Sequence, residues 1–208
     1  RKKQTGNRDS DGLADMGKDL EDRARTAMSS LGVTYPELFG YYPQPKGLLF
    51  PAFLSVQNLS GIYSPFTIEA NYNSAMVSYN LPFTICHELS HLRGFMQEEE
   101  ANFIGFLACV STDDTAFNYS GYLLGWIYAT NELYETDYDT FEEVYSRLSD
   151  NVKADLSANS SFWNRYDSKV AEVSGQINDH YLKANGQSDG VKSYDRMVDL
   201  MITWFRSK

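Results

Sequence analysis

Histidine is scarce in this chain of 208 residues, with three copies, and cysteine is scarcer, with two. Basic residues are also outnumbered: 18 Lys and Arg face 28 Asp and Glu, for a formal net charge of −10. That balance argues against nucleic-acid binding through a general electrostatic footprint. Cys86 and Cys109 both fall inside apolar helical runs, so they make no disulfide framework and read as buried thiols. No apolar run approaches the ~20 residues needed to span a bilayer. The basic triplet Arg1-Lys2-Lys3 suits either a juxtamembrane flank or a solvated tail. There is no internal repeat and no low-complexity tract. The scarce histidines are not scattered, because two of the three sit four apart in His87-Glu88-Leu89-Ser90-His91.

Hydrophobic residues make up 42% and aromatics 14% of the chain, enough apolar area for a folded globule. Leu13, Met16, Leu20, Ala24, Ala27 and Leu31 recur at helical steps and predict a helix over 10–31, with Ser10-Asp11 as cap and Gly32 as stop. Tyr35 to Lys46 is punctuated by proline and tyrosine and reads as a loop. Between 47 and 80, four short apolar pieces are expected as strands: Leu48–Phe50, Ile62–Tyr63, Phe66–Ile68 and Met76–Tyr79. Helices are then expected at 81–93, 97–111, 118–133, 138–148, 150–184 with a break, and 191–206. The expected fold is α+β and predominantly helical: one domain over 1–208 with a small sheet before the histidine-bearing helix and a helical C-terminal part. Its parts are an N-terminal helix and loop (1–45), a sheet with two site helices (46–112), and a helical subdomain (113–208).

H-E-x-x-H on a helix places both imidazoles on one face, where they can reach one metal ion, and puts the glutamate beside that face. Zinc is the expected metal, with Glu88 acting on a metal-bound water. Pro82 suits the first turn of this helix, and Gly94 suits its end. A second helix from about Gln97 would return a carboxylate toward His87 and His91. Glu98, Glu99 and Glu100 compete for that place, pointing in directions about a third of a turn apart. Glu98, Asn102 and Gly105 share one small, polar face, which favours Glu98 as third ligand and Asn102 as the group orienting a ligand. Glu99 and Glu100 are expected as a solvated helix N-terminus.

H-E-x-x-H followed by Glu98, Ala101 and Asn102 resembles the gluzincin arrangement, in which the first glutamate of the second motif completes a His/His/Glu zinc site. More closely, Ser64–Asn73, Leu81-Pro82-Phe83-Thr84 and His87–Cys109 resemble domain-of-unknown-function family 3810. Tyr119–Tyr122, Tyr181-Leu182-Lys183 and Ser193-Tyr194 extend the likeness. The resemblance implies a zincin-like domain on the extracytoplasmic side of a bacterial membrane, anchored by amino-terminal transmembrane helices outside this chain.

Two histidines and a carboxylate leave a fourth zinc position for water, the arrangement of catalytic zinc. The expected activity is therefore peptide-bond hydrolysis, with Glu88 as general base and a peptide or protein as substrate. His180 and Tyr119 are candidates for stabilising the oxyanion. Asn71, Asn73 and Tyr194 are candidates for lining the substrate groove. An extended peptide could add to a free strand edge between Ile62 and Tyr79. The alternative expectation is a non-catalytic sensor or binding module that keeps the zincin fold.

Overall fold

The computed structural model describes residues 7–167 and 196–208. They form a mostly helical α+β fold with one three-stranded sheet. Helix α1 (Leu20–Thr34) buries Leu20, Ala24, Ala27, Met28 and Leu31, a stripe at three- and four-residue steps. It starts later than the sequence pattern suggests. Gly12 and Gly17 both take left-handed backbone, and Asp9 Oδ1 accepts the amides of Asp11 and Leu13. That local polar pairing replaces the first helical turns.

Strand β1 (Lys46–Gly47) pairs parallel with β3 (Glu69–Tyr72), and β2 (Gly61–Ser64) pairs antiparallel with β3, giving the order β1-β3-β2. The register sets Gly61 opposite Tyr72 and Tyr63 opposite Ala70. Three expected strands resolve differently. Beyond β1 the chain turns at Leu49-Phe50 into helix α2 (Pro51–Val56), which Pro51 starts at a position where a missing N–H is harmless. Phe66–Ile68 forms the hairpin turn, with Ile68 at φ 55°. Met76–Tyr79 forms turns that lead into the next helix, set up by Asn73 Oδ1 accepting the Ala75 amide.

Helix α3 (Asn80–His91) lies at the centre of the fold. Every residue in it except Leu81 is buried, and it packs against α1, β2, β3, α4 and α5. Ser120 secures its start by accepting the Phe83 amide at 3.1 Å and donating to the Tyr79 carbonyl at 2.6 Å. Gly94, at φ 89°, reverses the chain into α4 (Glu98–Val110). Helices α5 (Thr115–Thr136), α6 (Tyr138–Ser146) and α7 (Asp150–Asn164) follow. A C-terminal helix, Arg196–Arg206, buries Met197 and Met201 against α4 and α5. Among the described residues no helix is long and apolar enough to cross a membrane.

Candidate metal centre

The α3–α4 pair builds the site. Its two helices come close together at Gly105, where an added Cβ would sit 3.2 Å from the Phe83 carbonyl and 3.3 Å from the His87 amide. The absence of a side chain there lets the face carrying Glu98 and Asn102 close onto the face carrying His87 and His91. The small polar stripe of α4 thus meets α3, as its spacing indicates.

His87, His91 and Glu98 bring one ligand atom each within 4.8 Å of one another. The two Nε2 atoms are 3.2 Å apart, His87 Nε2 is 3.3 Å from Glu98 Oε2, and His91 Nε2 is 3.8 Å from Glu98 Oε1. Ligands held tetrahedrally at about 2.0–2.1 Å from a zinc ion lie ~3.3 Å from each other, so the donor set fits such an ion. The imidazole rings stand at 89° to each other, both aiming Nε2 at the shared point. His91 is fixed by its other nitrogen, with Nδ1 2.7 Å from the Phe95 carbonyl. His87 Nδ1 is buried without a partner, as is Asn102 Nδ2. Asn102 is near enough to His87 to help raise that ring's pKa. Turning its amide over would offer Nδ1–H an oxygen.

The electrostatics are those of titratable groups crowded together in a buried site. Burial alone would lower the His87 pKa, but the hydrogen bond and charge of Glu98 outweigh it and lift it to about 9. His91 is pushed down to about 4 by burial and by the charge of His87. Burial would raise Glu98, yet His87 and His91 hold it below the usual carboxylate range. A divalent cation would serve all three groups at once. Glu88 lies just outside the trio, with Oε1 4.0 Å from His87 Nε2. Burial pushes its carboxyl up to about 8, against the charge of His87 and with that of Glu98.

The three competing glutamates now separate. Glu98 faces the histidines. Glu99 is not solvated, as expected from sequence, but buried and bonded to Arg196 at 3.3 Å, because its direction on α4 points to the C-terminal helix. Glu100 is half-buried, and burial beside Glu99 raises its pKa.

Other expected site residues lie elsewhere. Tyr119 is committed to Asp155, to which its hydroxyl donates, and stands under the Arg8 guanidinium, 5.9 Å from its ring centre. It anchors the N-terminal segment instead of facing Glu88. Asn73 is fully buried, donating to Ser55 Oγ at 2.9 Å, and Asn71 is buried on the central strand. Neither side chain opens to a groove, because loop closure and sheet packing consume both. His180 and Tyr194 fall outside the described residues. The clefts near Arg25 and Tyr42 (≈ 580 Å³) and near Arg8 and Arg23 (≈ 440 Å³) contain no residue of the metal centre.

Three neighbours of the centre carry no sequence signal. Tyr63 stacks obliquely on His91, with ring centres 5.9 Å apart. Burial and the charge of Glu98 raise the pKa of the Tyr128 phenol. Gly61 lies directly against Glu88. With 15 tyrosines and 14 glycines in the chain, only the tertiary arrangement distinguishes these three.

A family model described as Protein of unknown function (DUF3810) matches residues 1–202, and the chain belongs to this family. No curated protein and no solved structure matches it.

Proposed function

We propose that this protein is a zinc-dependent metallopeptidase with a zincin-like core, holding zinc through His87, His91 and Glu98. The observation that carries the reading is a convergent trio of candidate ligands, two buried and one half-buried, with a further acid, Glu88, beside it but outside the set. A structural zinc site has no use for that acid. When bound, zinc supplies Lewis acidity, polarising a carbonyl and lowering the pKa of a coordinated water.

The protein's own residues do the rest. With the metal bound, the proton that Glu98 favours on His87 would be displaced, so both histidines would present neutral Nε2 atoms, and the Phe95 carbonyl fixes the tautomer of His91. Glu88, whose pKa burial raises to about 8, would be ionised once a bound cation offsets that burial; it then takes a proton as the nucleophile forms and returns it to the leaving amine. Among the described residues β2 is an edge strand, paired with β3 on one side. Its other edge can accept an extended peptide through main-chain hydrogen bonds beside Glu88. The substrate class is therefore a peptide or protein. Family resemblance supports placing the activity on the extracytoplasmic side of a bacterial membrane.

The decisive variant is Glu88→Gln. It should bind one zinc per chain, as the wild type does, while losing hydrolysis of a fluorescence-quenched peptide library. Undiminished cleavage would sink the mechanism. A zinc-loaded wild type that cleaves no peptide would favour a non-catalytic binding module instead.

A further inference from the structure

The strand covering the metal centre touches Glu88 with its backbone. Residues 61 and 63 share one face of β2, because strand side chains alternate. The Tyr63 ring lies 5.9 Å from the His91 ring, so this face is turned toward the centre. On that same face, a Cβ added to Gly61 would fall 2.4 Å from Glu88 Oε1 and 2.8 Å from both Cδ and Cγ. No real side chain tolerates such distances. Gly61 is not among the residues with left-handed backbone, so conformational freedom does not explain it. Space does.

We propose that Gly61 is the positioning residue for Glu88, its missing side chain setting where the carboxylate rests relative to His87, His91 and Glu98. This rests on the reading of Glu88 as the proton-transferring base. The mechanical argument concerns what gives way when a methyl group is added. β2 is held to β3 across Gly61–Ser64, and α3 is buried on every side. The Glu88 side chain is the movable part of this contact. Alanine at 61 therefore rotates the carboxylate off its place without parting strand from helix. The three metal ligands do not meet the added Cβ among its nearest atoms. Metal binding and proton transfer thus become separable at one position, with the Glu88 side chain itself left in place.

The test compares full-length wild type and Gly61→Ala, each loaded with zinc. Zinc stoichiometry and melting temperature should match. A crystal structure of the variant should show the Glu88 carboxylate displaced by about 1 Å or more, and on the peptide library kcat should fall ~100-fold with KM unchanged. An unmoved carboxylate, wild-type kcat, or a change confined to KM would each overturn the proposal. If Gly61→Ala lowers stability or zinc content, the same substitution in a Glu88→Ala background, where the three nearest colliding atoms are gone, should restore both. Failure to restore them also overturns it. A wild type that hydrolyses nothing removes the peptidase reading alone, because the carboxylate position still decides the role of Gly61.

Discussion

Glu98 bridges the two histidines of α3, with Oε2 3.3 Å from His87 Nε2 and Oε1 3.8 Å from His91 Nε2. It reaches both because it is the first residue of α4, just after the turn at Gly94. Glu98→Ala should weaken zinc binding by more than the ~10–100-fold that loss of an outer partner costs. Glu100→Ala, one turn direction away, should leave it unchanged. Competition against a chromogenic chelator measures both, and equal effects would refute the choice of ligand.

Asn102 is 2% exposed, and its amide nitrogen has no partner. If its oxygen supports His87 Nδ1–H, Asn102→Leu, of similar volume, should lower zinc affinity by about 10–100-fold. Retained affinity in that variant would make Asn102 a packing residue only.

Asp155 is 0% exposed and accepts from Arg8 at 2.7 and 2.8 Å, from the Ala14 amide at 2.9 Å and from the Tyr119 hydroxyl. An arginine and a backbone amide of the N-terminal segment and a phenol of α5 converge on one carboxylate. Removing its charge leaves a guanidinium short of its counterion in a low-dielectric site. Asp155→Asn should therefore destabilise the protein by about 3 kcal/mol, read from urea unfolding. A loss below roughly 1 kcal/mol would place the pair with weak surface bridges.

Asp114 gives a pH signature. Burial would raise its pKa, but hydrogen bonds from Arg23 and from the Phe117 and Ala116 amides outweigh this and hold it below the usual range. A carboxyl with a depressed folded pKa contributes stability above its unfolded pKa of ~3.9 and loses it as pH falls through the folded value. Asp114→Asn keeps the helix cap and removes the charge. The variant should be less stable by about 1 kcal/mol at neutral pH, allowing for partial exposure. That gap should close as pH drops below ~4. A gap independent of pH would assign the effect to packing.

The site was legible from sequence where one helix or one turn defined it. The four-residue histidine spacing, the stop at Gly94 and the Glu98–Asn102–Gly105 stripe are local facts of helical geometry, and the structure brings them together. The burial of Glu99 was not legible, because its partner lies 97 residues away on another helix. The strands were harder still. Apolar pieces of three or four residues serve a turn as readily as a strand, and Phe66–Ile68 and Met76–Tyr79 became turns through neighbouring polar chemistry. Gly61 illustrates the limit: its glycine is demanded by a side chain 27 positions on, which no local pattern announces.

The turn at Gly94 has a consequence for assembly. All three ligands and the flanking acid fall within residues 87–98, on two helices joined by a short reversal. Closing so short a stretch around an ion costs little chain entropy. On the proposed reading of these residues as zinc ligands, the α3–α4 hairpin would therefore capture metal before the distant strand and the outer helices arrive. A loaded hairpin would then present α3 as a preformed template, onto which α1, α5 and the sheet condense.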